Sequence, residues 1–224
     1  MTSVGNKLIK DANALTTTQF EDLYVPPRSR TRLPDDVCRL STNDSTMDFL
    51  ASSQLSAGVL GQCLRLIETT SRKDYETSSI GWHPKRKKRE MREDDMRYLI
   101  LFGTGTGDVA PVIGFLSFML THDSTPSVPV LYIYEIHLKI EAQGSGLGTH
   151  LMDLAESIAE EVGVDKVMLT CFVSNERARG FYRRRGYSTD ACSPGDRTTR
   201  GKTIKADYVI MSKPMTTRAE DNGG

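Results

Sequence analysis

Long apolar runs are missing from this 224-residue chain: none approaches the roughly 20 residues that a membrane-spanning helix requires. The opening Met1-Thr2-Ser3 leads into no apolar signal segment, and Thr2 stands where N-myristoylation would need glycine. A nuclear and cytoplasmic address with no membrane partner is the expectation. An excess of either charge is missing too. Lysine plus arginine number 29 and aspartate plus glutamate 29, so bulk electrostatics do not argue for direct DNA binding. Cysteine is sparse. Cys38, Cys63, Cys171 and Cys192 lie far apart with no C-x-x-C, which leaves disulfides and a metal site unsupported. No Gly-Lys-Ser/Thr follows the glycines, which excludes a P-loop, and no internal repeat is visible. The length suits one well-buried α/β domain with decorations.

Against those absences, one stretch carries chemistry. Gln143-Gly144-Ser145-Gly146-Leu147-Gly148 follows the strand-like Val130–Leu138. It opens a helical stripe with apolar residues at Leu147, Leu151, Leu154, Ile158 and Val162. Glycine lets the main chain approach phosphate oxygens without a Cβ in the way, and a helix N-terminus favours an anion there. A phosphate-bearing cofactor is the first implication. A dinucleotide fold fits poorly, because the third glycine position falls on Thr149 and the segments upstream are antiparallel rather than βαβ.

The order of elements can be read on both sides of the loop. Leu8 to Phe20 suggests a short helix, and Pro26-Pro27 and Pro34 an extended connector. Val37–Ser41 reads as a first strand. Ser45-Thr46-Met47-Asp48 reads as a capping box starting a helix that reaches about Asp74, with a break near Gly58 or Gly61. The basic run Lys85–Arg89 continues into Glu90-Met91-Arg92-Glu93-Asp94-Asp95, which nearly cancels it. An import signal, a surface for acidic partners and a solvated helix face all remain open. Three strands follow at Tyr98–Gly103, Val112–Leu120 and Val130–Leu138, with a glycine turn Thr104–Asp108 and a polar loop Thr121–Pro129 between them. After the glycine loop come the helix Leu147–Val162, a strand Lys166–Phe172, a helix Asn175–Arg185, a strand Tyr208–Ser212 and a polar tail over 216–224.

This arrangement resembles the GNAT superfamily of N-acetyltransferases over roughly Val37 to Lys213. The strand–Gln143-x-x-Gly146-x-Gly148–helix unit and the downstream Asn175…Phe181-Tyr182…Gly186-Tyr187 carry the likeness. Within the superfamily, Val130-Leu131-Tyr132-Ile133-Tyr134-Glu135-Ile136 and Lys166–Phe172 resemble the N-terminal acetyltransferase D family, which acts on the histone N-terminus. So do Tyr75-Glu76 with Gly81-Trp82, and Ser193-Pro194 with Tyr208-x-Ile210-x-Ser212. Ile80 departs from that family, which offers a tryptophan near the peptide. The resemblance implies a mostly antiparallel α/β sheet, splayed at a cofactor slot and flanked by helices. It divides the chain into an N-terminal helix and strap over 1–36, a catalytic domain over 37–215 and a tail.

The same resemblance implies acetyl-coenzyme A as cosubstrate, with no metal. Its pyrophosphate would lie on Gln143, Gly144, Ser145, Gly146, Leu147, Gly148 and Thr149, its pantetheine arm along Ile136, His137 and Leu138, with Asn175 a further contact. Gln143 replaces the commoner arginine and removes a cation beside the phosphates. Glu135 is expected to be a modest general base, since an α-amine with a pKa near about 7.7–8.0 is partly neutral at pH 7. Tyr182 is expected to serve the departing thiolate. Tyr75, Tyr132, Tyr134, Thr170 and Tyr208 would meet the first residues of the acceptor, and Asp123 would take an arginine charge. Tyr132 and Tyr134 share one strand face by period two, so Tyr134 and Glu135 can reach one substrate only across a β-bulge. The expected activity is N-α-acetylation of histone four and two-A tails beginning Ser-Gly-Arg-Gly, by direct attack in a ternary complex, by a monomer. The alternatives are a lysine or small-amine acetyltransferase, or a non-catalytic module that holds coenzyme A and binds histone tails.

Overall fold

The computed structural model describes residues 2–26, 45–104, 110–123, 127–199 and 202–215. A seven-stranded sheet runs in the order β1-β2-β3-β4-β5-β9-β6. Its strands are β1 (Thr46–Ala51), β2 (Arg97–Phe102), β3 (Val112–His122), β4 (Pro129–Leu138), β5 (Lys166–Phe172), β6 (Ser188–Thr189) and β9 (Tyr208–Pro214). Strands β7 (Arg197–Thr199) and β8 (Lys202–Ile204) form a separate pair. Every neighbour in the large sheet is antiparallel except β4 and β5, which run parallel.

Helices cover both faces. On one side α1 (Thr2–Asn13), α2 (Thr17–Tyr24), α5 (Leu147–Val162) and α6 (Glu176–Arg184) enclose a core containing Phe20, Leu116, Phe118, Leu151, Ile158 and Tyr182. On the other, α3 (Ala57–Thr77) and α4 (Pro84–Glu90) enclose a second core in which Leu60 and Ile67 of α3 join Met96, Tyr98, Ile100 and Phe115. The N-terminal helices belong to the first core. Phe20 is fully buried, and Arg97 lies 4.2 Å over its ring while donating to Asn13 Oδ1 and the Ala12 carbonyl at the end of α1.

The helix expected from Ser45 onward is corrected. Thr46–Ala51 is strand β1, with Met47 and Phe49 buried at period two and opposite Leu101 and Leu99 of β2. The capping-box pattern at Ser45 is a coincidence of residue types. The helix N-cap is Ser56, whose Oγ accepts from the Val59 amide at 3.2 Å, and α3 then runs unbroken through Gly58 and Gly61. The first helix also divides in two. Thr16 and Gln19 form a reciprocal capping box that starts α2, with Gln19 Oε1 accepting from the Thr16 amide at 3.0 Å. The strand expected at Val37–Ser41, the turn residues 105–109 and the tail 216–224 lie outside the described residues.

Two irregularities in β4 place the site. Its pairing with β5 covers only Val130–Ile133 against Lys166–Leu169, and beyond that point the strands part. Its pairing with β3 skips one residue, because Ser117 faces Glu135 while Phe118 faces Ile133. Tyr134 is the extra residue of a β-bulge. The bulge inverts the side-chain parity. Leu131 and Ile133 pack with Ile136 and Leu138 on the α5 side, which leaves Tyr132, Glu135 and His137 facing α3. Without it Glu135 would enter the apolar α5 core.

Candidate active site

Where β4 and β5 separate, a cavity of about 1150 Å³ opens through the sheet. The glycine loop and α6 line one end, and α3, α4 and the bulge line the other. The parted strands are held where their backbone pairing stops by Tyr132 and Thr170, whose hydroxyls lie 2.5 Å apart.

At the loop end, Gly144, Gly146, Gly148 and Thr149 line the cavity, and Gly146 caps α5. Leu147 is fully buried in the core, and Ser145 turns its hydroxyl inward to the Ala142 carbonyl at 2.7 Å, so neither side chain reaches the cavity. Gln143 folds back to donate to the Leu138 carbonyl at 3.2 Å. Asn175 lines the cavity and also caps α6, its Oδ1 accepting from the Ala178 amide at 3.0 Å. Sequence reasoning missed two cations here. Arg177 and Arg184, spaced i, i+7 with Phe181 between them, put one stripe of α6 on the cavity wall.

At the other end, three groups converge on Glu135. Its Oε1 accepts from the Tyr75 hydroxyl at 2.9 Å and lies 2.7 Å from Lys87 Nζ; its Oε2 lies 2.6 Å from His137 Nε2. Burial alone would raise this carboxyl, but the Lys87 charge and the His137 hydrogen bond outweigh it and hold the group down to about 2. Lys87 also bonds Glu90 at 2.5 Å and lies 5.2 Å over the Tyr75 ring. Burial acts to lower the Lys87 ammonium, and Glu135, Tyr75 and Glu90 more than reverse that. The Tyr75 hydroxyl is pushed up by burial and by Glu135. Its ring meets Trp82 at 5.5 Å and Phe172 edge-on at 4.9 Å, so Trp82 and Phe172 brace the site. Tyr134 is 37% exposed at the mouth, 5.4 Å from the Tyr132 ring. Tyr182 lines the cavity on the α6 side, and burial raises its hydroxyl.

Lys87 was concealed by its neighbours in the sequence, a basic run for which every reading left open was an exposed one. Only its spacing four residues before the buried Met91 hinted otherwise. Two expected acceptor residues stand elsewhere. Asp123 is buried, bonds Lys166 at 2.7 Å and does not line the cavity; its charge is met within the protein. Tyr208 pairs with Phe172 at the end of β9 and is likewise outside the cavity wall. The ligand-type atoms of Asp123, Asp190 and Cys192 lie close together, but Lys166 Nζ sits 2.7 Å from both carboxylates and occupies that cluster with its own cation. Ile80 lines the cavity beside a segment pinned by Asp207, which accepts from the Ser79 amide and hydroxyl.

In an otherwise antiparallel sheet, one parallel pair of strands parts over a glycine-loop helix start. Residues 64–187 match the acetyltransferase (GNAT) family, and the chain belongs to it. More particularly, it is an N-α-acetyltransferase of the GNAT type. It is 30% identical to N-alpha-acetyltransferase 40 of Saccharomyces cerevisiae, across 85% of this chain and 74% of that protein. Among solved structures, Arabidopsis thaliana NAA60 in complex with acetyl-CoA superposes with a TM-score of 0.54, at 13% identity over 75% of this chain and 98% of that one. Spermidine N-acetyltransferase from Vibrio cholerae gives 0.51, at 15% identity over 75% and 95%. Both likenesses show the fold alone.

Proposed function

We propose that the enzyme moves the acetyl group of acetyl-coenzyme A directly onto the N-terminal amine of histone four and two-A tails beginning Ser-Gly-Arg-Gly. The relationship to the yeast N-α-acetyltransferase supports the acceptor class. The observation that carries the reading is the cavity itself, with a glycine-loop helix start at one end and the Glu135 cluster at the other. The cofactor would enter at the loop with its pantetheine along Ile136–Leu138, and the acceptor amine would arrive past Tyr134 at the cavity side of Glu135. Asp123 is engaged by Lys166 and lies off the cavity wall, whereas Glu90 lines the cavity, where a cationic third residue would share it with Lys87. Residues 37–215 would form the catalytic domain, with the N-terminal helices strapped to it, in the nucleus and cytoplasm.

The test is acetylation of a lysine-containing peptide that begins Ser-Gly-Arg-Gly, with a free or a blocked N-terminus, read by mass spectrometry for the nitrogen modified. Only the free peptide should react, at its α-amine. Acetylation of lysine in the blocked peptide would transfer the reading to a lysine enzyme. Peptide binding without turnover would support a binding module.

The two α6 arginines yield a further expectation. Exposed guanidinium–phosphate pairs contribute up to about 1 kcal/mol each. Replacing Arg177 and Arg184 together by alanine should therefore raise the acetyl-coenzyme A dissociation constant by about tenfold and flatten its salt dependence. Gln143→Arg should tighten binding a few-fold, both measured by calorimetry.

A further inference from the structure

The Glu135 carboxylate offers roughly four acceptor positions. Three are filled from the protein: Tyr75 and Lys87 on Oε1, His137 on Oε2. The fourth is what a side chain lining the cavity can offer to an incoming amine. Thr70 Oγ1, 2.8 Å from the Leu66 carbonyl, lies 2.6 Å from His137 Nδ1, which turns the other ring nitrogen, Nε2, onto Oε2. Glu135 is thus held by the imidazole on one oxygen and by the Lys87 cation, 2.7 Å away, on the other.

Resting on the acceptor reading above, we propose that Lys87 is a positioning residue of this site. With His137 it fixes Glu135 as a permanent anion, which holds the acceptor nitrogen and balances the positive charge that develops on it, without keeping its proton. A carboxylate so clamped is a weak proton acceptor, in line with its depressed titration. The ionisable groups around it are Tyr75 from α3, Lys87 and Glu90 from α4, Tyr98 from β2, His137 on β4 and Tyr182 from α6. The step balances without a stored proton. The neutral nitrogen forms the C–N bond, the C–S bond breaks with its electron pair on sulfur, and the proton released by nitrogen reaches that sulfur through water.

Two measurements test this. First, kcat against pH is compared for the unaltered enzyme, Lys87→Met and Lys87→Arg on the peptide it acetylates. Losing the cation frees Glu135 and the bound amine to hold protons. The acid limb of Lys87→Met should move up by at least one pH unit, with kcat down tenfold or more at pH 6 and within about threefold at pH 9. Lys87→Arg should restore the profile. An equal loss at every pH, or an unmoved limb, overturns the proposal. Second, the Glu135 carboxyl carbon, assigned by its disappearance in Glu135→Gln, is titrated by carbon NMR in the substrate-free enzyme. It should stay ionised below pH 4; titration at or above the ordinary 4.5 overturns the proposal whatever the acceptor proves to be.

Discussion

Glu135→Gln is expected to lower kcat by about two to three orders of magnitude while changing the affinity for acetyl-coenzyme A by less than about twofold. Glutamine keeps the shape and the bond from Tyr75, but it removes the only anion that Lys87 and His137 share at the acceptor end. The loss therefore belongs to the step in which nitrogen becomes positive and not to cofactor binding, which the proposed function assigns to the glycine loop. Steady-state kinetics beside calorimetry of the cofactor separates the two; an unchanged kcat would remove Glu135 from the chemistry.

The same substitution has a stability signature whose sign follows from the titration. Glu135 is held in the fold at about 2, below the ordinary 4.5. Its stabilising contribution is thus fully present above pH 4.5 and is lost as pH falls toward 2. At about 1.4 kcal/mol per tenfold the contribution is roughly 3 kcal/mol. Denaturant unfolding should show that slope in the unaltered protein, and Glu135→Gln should be less stable at pH 7 yet flatter between pH 4.5 and 2. Equal slopes would mean that Glu135 does not supply it.

Gly146→Val should raise the acetyl-coenzyme A dissociation constant by a hundredfold or more. Gly146 caps α5 at φ +99°, a conformation that a β-branched side chain resists at a cost of about 1–3 kcal/mol. Relief of that strain would rotate the amides that open α5, so the binding loss adds to the strain. Gly144→Ala is the contrast. Its φ is +80°, but a Cβ there would meet open space. A loss of about tenfold or less is expected, with circular dichroism confirming that both variants fold. Equal, small effects in the two would show that the loop tolerates rearrangement.

Much of the fold was legible. The apolar stripe of Leu147–Val162, bounded by Gly146 and Gly163, marks α5 to the residue, and the short, mostly apolar run Lys166–Phe172 marks β5. The need for a bulge near Tyr134 followed from strand parity once the resemblance set Tyr134 and Glu135 at one substrate, and the register supplies it. At Ser45–Asp48 a short-range capping pattern competed with a two-residue alternation too brief to outweigh it. Only pairing with β2 settled the matter. Asp123 showed the opposite limit. An aspartate in a polar loop looks available until the fold brings Lys166, 43 residues away, to its carboxylate.

By itself the sequence determined where a phosphate can lie, since a glycine loop at a helix start is a local device of the backbone. It also determined the strand that carries Glu135 and, through resemblance, the reaction class. The tertiary structure alone decided what Glu135 is. Lys87 lies 48 residues from it in a run of like charges, and Tyr75 60 residues from it on another helix. The properties of a buried carboxylate depend on which charges share its low-dielectric surroundings, and no spacing along the chain encodes that.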